Sequence, residues 1–388
     1  MRTIILILLG LLLAPTTWGQ MVEVQLNPVD KLQSFRYQAL GDKVAVTTAD
    51  SFPVLITQLN TLDYLEVRSR GADLELWQEG QRIATCSSVL FWGNDADPRF
   101  KLHLKRGKLP VRTYPGHLRV RPGGRSLALV NEVHLEDYIR CVIHAEAGHH
   151  RSLDFFKVQA LSARTYALRN LNRHRDHGYD LCSSTHCQAY RGEYRSDELI
   201  NAAVRETRNE VIVHEGQDLI EAVFSANCGG FTANSEDVWI ANVEYLRARP
   251  DYDFCEGFHN HAWHLTLPKL DFLAKLGRYL EVEATRFEIV PDVSGRVRRV
   301  HVNGDPKLTV SGEELRRLFR LKSARFHIYD AQSLLFIEGT GFGHGVGMCQ
   351  DGAYYLSELG WDYQRILRHY YQSISILQIT NDAISNFQ

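Results

Sequence analysis

"NEVHLEDYIRCVIHAEAGHH", residues 131 to 150, is where one pattern of apolar residues gives way to another. Upstream of it the chain alternates residue by residue. Within it Leu135, Ile139, Val142, Ile143 and Glu146 recur at the three- and four-residue spacing of a single helix face. The spacing predicts a helix that ends on a carboxylate. A Glu at the end of an apolar face is partly desolvated, which raises its pKa toward the range of a general acid. On spacing alone, a Glu paired with Lys157 or Arg164, or simply exposed, is the commoner outcome, because surface carboxylates outnumber buried ones.

Moving toward the N-terminus, "VEVQL", "KVAVTT", "PVLITQL", "YLEVRS", "DLELWQ", "RIATCSSVLFW", "FKLHLK" and "HLRVRP" are short and rich in β-branched and aromatic residues. Gly71, Gly80 and the pair Gly123-Gly124 punctuate them. A β-rich region over residues 20–129 is therefore expected to run into the next domain without a linker. Before it, "MRTIILILLGLLLAPTTWGQ" has Arg2, an apolar run from Ile4 to Ala14, and small residues Thr17 and Gly19. This is the pattern of a secretory signal peptide over residues 1–19, too short in its apolar run to span a bilayer comfortably. No cysteine follows the run, which argues against a lipoprotein anchor, and no later stretch of the mature chain reaches transmembrane length.

Composition narrows the class further. A formal net charge of −2 over 388 residues argues against a nucleic-acid partner held by a basic field. The seven cysteines (86, 141, 182, 187, 228, 255 and 349) are an odd number, so at least one stands outside any intramolecular disulfide.

Toward the C-terminus a second, longer helix is expected over "SLDFFKVQALSARTYALRNLNR", with Ser152 as N-cap and Asp154 in its first turn. Lys157 and Arg164 lie seven apart and share one face of it, by default a solvated flank. Strands are expected at "EVIVHE" and "LIEAVFSA", and a smaller α/β stretch at about 265–337. The chain then enters "GTGFGHGVGMCQDGAYYLSELGWDYQRILRHYY", with glycines at 339, 341, 343, 345 and 347, and two helices divided by Gly360. Alternate glycines allow very close backbone approach. The run is not a nucleotide loop, because no Lys-Ser/Thr follows it. It reads equally as a tight turn with a packed His344 or as a groove wall presenting His344 and Gln350.

"HGYDLCSSTHCQAYRG", residues 177 to 192, gathers His177, Cys182, His186 and Cys187. Thiolate and imidazole suit a closed structural zinc site. After export, a disulfide across the short loop is equally consistent with the residues. Cys228 and Cys255 either pair with each other or join this site.

Taken in order, "LEDYIRCVIHAE", "KVQALSARTYAL", "DLCSSTHCQAYRG", "FSANCGGFT" followed by "VW", "YLRARPDYD" and "GFGHGVGMCQDGA" resemble the SpoIID/LytB family of stage II sporulation protein D and amidase enhancers, from about Val130 to Tyr371. The resemblance implies an α+β fold: a helical catalytic core with surrounding antiparallel strands over 130–376, preceded by the β-rich N-terminal region. It implies a lytic transglycosylase that cleaves the MurNAc–GlcNAc bond of denuded peptidoglycan strands and leaves 1,6-anhydro ends. Glu146 would be the acid/base, and Arg164, Tyr245, Arg247, His344 and Gln350 would bind substrate; on charge, Lys157 is expected to join Arg164 and Arg247 in holding the sugar's lactyl carboxylates. It favours zinc over a disulfide in the 177–187 segment, in a structural role that the chemistry does not require. Two positions depart from the family pattern: "AGHH" replaces a common Met-Pro after the Glu, and Cys141 replaces a small residue. The alternative is a non-catalytic wall-binding protein that stimulates an N-acetylmuramoyl-L-alanine amidase. A zinc hydrolase ranks below both, since no HExxH arrangement is present. The expected location is secreted, periplasmic or cell-wall associated.

Overall fold

The computed structural model describes residues 20–380, apart from 27–30, 50–51, 105–110, 125, 149–150, 194–196, 217 and 240. The expected signal peptide, and His149 and His150 of the "AGHH" segment, lie outside the described residues.

The alternating segments build two sheets. In one, Met21–Leu26 pairs with Ser126–His134, which continues through His117–Gly123 and Val89–Trp92 to Val44–Thr48 and Leu55–Leu59. In the other, Ser34–Ala39 lies between Arg99–Leu104 and Tyr64–Arg70, with Asp73–Gln78 and Gln81–Cys86 beyond. Period-two burial sets Val22, Val24 and Leu26 of the first sheet and Phe35 and Tyr37 of the second inward. Tyr37 stacks across the interface on Phe91 at 4.1 Å between ring centroids, so the sheets face each other. The segment "RIATCSSVLFW", expected as one strand, is two. It breaks at Ser87-Ser88, and Gln81–Cys86 and Val89–Trp92 join different sheets.

Strand Ser126–His134 runs straight into helix α1, Leu135–Glu146. Helix α2, Leu153–Arg169, is capped by Ser152, whose Oγ accepts from Phe155 N at 3.3 Å. From Phe155 to Leu168 it is buried almost all round, against α1, α3 (Glu198–Glu206) and strand Glu210–His214. The segment "LIEAVFSA" forms only two short strands, Asp218–Leu219 and Phe224–Ser225. Between them the chain bends: Glu221 N donates to the Tyr245 hydroxyl at 2.9 Å, and Tyr371 donates to Val223 O at 2.8 Å.

After the short helix α4, Ser235–Val238, residues 262–340 form two three-stranded antiparallel sheets with helices α5 (Lys269–Leu280) and α6 (Gly312–Phe319). They close on a core of their own around Phe272, Val300, Leu315 and Ile337. Arg296, only 1% exposed, ties this core to the main body by donating to Cys228 O and Phe231 O, both at 2.6 Å. The chain returns through strand Met348–Cys349 into α7 (Gln350–Glu358) and α8 (Tyr363–Tyr370). The architecture is α+β, helices set among antiparallel sheets behind a β-rich N-terminal region.

Candidate active site

A cleft of about 690 Å³ opens at the C-terminal end of α1. Its walls come from both sides of the chain: Glu146 with residues 185–188 on one, residues 221–225, Trp239, Gly343 and His344 on the other. The carboxylate of Glu146 is half-buried and accepts from Ala189 N at 2.6 Å, and it forms no ion pair with any other described residue. Burial raises its pKa above the ordinary glutamate value, while the Ala189 amide and Arg191 pull it back only in part. Its place at a helix C-terminus also disfavours negative charge. A carboxyl group held this way stays protonated to higher pH than a surface one.

The amide that meets Glu146 is set by distant pairings. Leu181–Cys182 adds to the first sheet as a parallel strand beside Val24 and Gln25. Tyr138 of α1 donates to Gln188 Oε1 at 3.2 Å, and Tyr190 donates to the buried Asn131 Oδ1 at 2.6 Å. Gln188 is 4% exposed, and its Nε2 has no partner among the described residues, as is true of Ser225 Oγ across the cleft. Both are buried polar groups in the cleft lining, where a ligand would satisfy them.

The glycine run serves close approach and groove at once. Gly343 has φ 117°, and a Cβ there would stand 2.6 Å from Ser225 Cβ. His344 Nδ1 accepts from Val346 N and its Nε2 donates to Phe224 O, both at 3.0 Å, which fixes a neutral ring. Desolvation pushes its pKa down to about 4. It therefore offers a ring surface rather than a proton, beside the exposed Trp239 at 5.1 Å between centroids.

Other expected substrate residues stand elsewhere. Arg164 is fully buried and grips Glu136 through Nε at 2.9 Å and Nη2 at 2.7 Å, with Nη1 on Glu210 O. It is neither on the cleft nor on a solvated flank, because α2 is enclosed on that face as well. Lys157 pairs with Glu206 at 2.8 Å. Arg247 pairs with Glu236 at 2.5 Å and with Asn242, bracing the loop that carries Trp239. Tyr245 spends its hydroxyl on Glu221 N, and Gln350 lies behind Glu146, donating to Gln159 Oε1 at 3.2 Å and to Glu146 O. These side chains position the walls without lining them.

Beside Glu146, four metal-ligating side chains converge: His174, Cys182, His186 and Cys187. The two sulfurs are 3.4 Å apart, and His186 Nδ1 lies 3.7 and 3.6 Å from them. His174 Nε2 lies 3.4 Å from Cys187 Sγ. A disulfide needs about 2.05 Å. Donors around a tetrahedral zinc, with bonds of about 2.0–2.3 Å, stand roughly 3.3–3.8 Å from one another, sulfur pairs at the long end. The nitrogen–sulfur distances match such edges, and the sulfur pair is shorter than its own, though far longer than a disulfide, so the donor set suits that ion better than a disulfide. His177 is not in it. The turn Arg175–His177 directs that residue toward Tyr179, its carbonyl accepts from Arg121, and His174 takes the expected place. His174 sits one helical turn before His177, and that spacing was the available signal.

The family model for stage II sporulation protein matches residues 124–214. A stage II sporulation protein D from Bacillus amyloliquefaciens is 30% identical over 264 residues, 64% of this chain and 75% of that one. An uncharacterized protein of Brachyspira hyodysenteriae is 30% identical over 272 residues, 68% of this chain and 72% of its own. A Bacillus subtilis protein named amidase enhancer is 25% identical over 361 residues, covering 71% of this chain and half of that one.

Proposed function

The chain belongs to the SpoIID/LytB family, and from that premise we propose that it acts on the bacterial cell wall as a lytic transglycosylase, with Glu146 as its single acid/base. The observation that carries this reading is a half-buried carboxyl of raised pKa, in no ion pair with a described residue, facing a 690 Å³ cleft. An ordinary glycosidase needs a second carboxylate as base or nucleophile. The other carboxylate of the cleft, Glu221, is paired with Arg169 at 2.9 Å. Intramolecular attack by the sugar's own 6-hydroxyl removes the need for a second one. Glu146 protonates the glycosidic oxygen as that bond breaks. As carboxylate it takes the proton of the 6-hydroxyl, whose oxygen closes on the anomeric carbon to give the 1,6-anhydro ring. Gln188 Nε2 and Ser225 Oγ supply hydrogen bonds to the glycan, and Trp239 with His344 supplies an aromatic face for a pyranose ring. Zinc on His174, Cys182, His186 and Cys187 would hold the wall that bears Gln188 and Ala189, a structural part outside the proton path. We place the protein outside the cytoplasm by reading residues 1–19 as a secretory leader; among the described residues no helix is long and apolar enough to cross a membrane.

Incubation of wild type and Glu146→Gln with denuded glycan strands, followed by mass spectrometry, tests the assignment. The wild type is expected to release 1,6-anhydro products, and the variant to lose at least about 100-fold in rate. Glycan binding by the wild type without any anhydro product would overturn it. That outcome would select the second reading, a wall-binding stimulator of an amidase, which rests on the relative that bears the amidase-enhancer name.

A further inference from the structure

A second cluster of metal-ligating side chains lies away from the cleft mouth, in the core. Cys228, Asp251, Cys255 and Cys349 are each 0% exposed, and one donor atom from each lies within 4.8 Å of all the others. Cys228 Sγ is 3.8 Å from Cys255 Sγ and 3.0 Å from Asp251 Oδ2. Cys349 Sγ accepts from Cys228 N at 3.2 Å and Gly352 N at 3.4 Å, the support that a thiolate ligand uses. The second oxygen of Asp251 is oriented from outside by the Tyr370 hydroxyl at 2.8 Å and His369 Nε2 at 3.4 Å. Such outer partners are characteristic of metal-ligating carboxylates.

Charge and distance both bear on the occupant. A fully buried carboxylate among three thiols is costly unless a cation joins it. The nearby guanidinium of Arg296 does not fill that role directly. Its hydrogen bonds go to Cys228 O, Phe231 O and Ser294 Oγ. The sulfur separation of 3.8 Å matches the edge of a tetrahedron with metal–sulfur bonds of about 2.3 Å, and exceeds a disulfide bond by nearly a factor of two. A disulfide would also use only two of the three thiols. We infer that Cys228, Asp251, Cys255 and Cys349 form a second, closed site for a thiolate-preferring divalent cation, zinc. Three thiolates, one carboxylate and the ion carry a net −2, which the buried Arg296 partly offsets.

The placement assigns the site a task. Cys228 follows strand Phe224–Ser225, and Cys349 ends the strand paired with it, at the register Ser225 to Cys349. Ser225 lines the cleft, and Gln350, next to Cys349, reaches the backbone of Glu146. One cluster thus fastens the wall of Gln188, and the other fastens the wall of Ser225 and His344.

Metal analysis of the purified mature chain by inductively coupled plasma mass spectrometry tests this without reference to activity, so its outcome is separate from that of the glycan assay. Two zinc ions per chain are expected, falling to one in Cys255→Ser and to one in Cys182→Ser. Should the first cluster hold no metal, one zinc that survives Cys182→Ser and is lost in Cys255→Ser still supports the inference. If Cys255→Ser does not fold, zinc X-ray absorption on Cys182→Ser decides: a residual ion with three sulfurs and one oxygen supports the site. No zinc in Cys182→Ser, or a disulfide among residues 228, 255 and 349 found by peptide mapping without reduction, overturns it.

Discussion

In the proposed role, Glu146 would meet the main demand of acid catalysis through its surroundings rather than through an ion-pair partner. Burial and the end of a helix both favour its protonated form. Because the folded pKa is raised, the fold binds this proton more tightly than the unfolded chain does. Stability is therefore lost as pH rises from the ordinary glutamate pKa through the folded one. Glycan cleavage should fall over the upper part of that window, as the acid is spent, in a pH–rate profile of kcat/KM. In the same window Glu146→Gln should melt no lower than the wild type, or about 1–2 °C higher. A melting point several degrees lower at pH 7 would show a structural rather than a catalytic carboxyl.

Helix α2 and its neighbours carry the burden of positioning. The bidentate Arg164–Glu136 pair joins α2 to α1, and Arg164 also holds strand Glu210–His214 through a backbone carbonyl. Arg164→Ala should cost about 3 kcal/mol in urea unfolding, because it leaves Glu136 and a carbonyl unpaired. Arg164→Lys should recover only part of it, since an ammonium cannot reproduce the fork. In the fraction that remains folded, KM should be unchanged, which separates this residue from the cleft lining. The cap at Ser152 was legible in the sequence, being a short polar side chain just before an apolar period. The face of α2 was not, because small residues on several sides of a helix do not say which neighbour covers which side.

At the scale of the whole molecule, the N-terminal strand bears directly on the site. Met21–Leu26 pairs with Leu181–Cys182, so the first strand among the described residues positions the loop that holds Cys187, Gln188 and the Ala189 amide. On the proposed zinc reading, a chain beginning at residue 33 should bind no metal at the first cluster and expose the thiols of Cys182 and Cys187 to a thiol reagent. Retention of that metal would show that the loop is held by its own turns. Most strands of the N-terminal region, the switch to helix at Leu135, the Ser152 cap and a glutamate closing that helix could be read from the sequence alone. Those features depend on periodicity and on neighbours within a few residues. That His174 rather than His177 joins the first cluster, that Arg164 is a buried strut, and that Cys228 meets Cys349 across 121 positions emerged from the folded arrangement. Contacts at that separation are set by how sheets and helices close around a shared core, and no local pattern of residues encodes them.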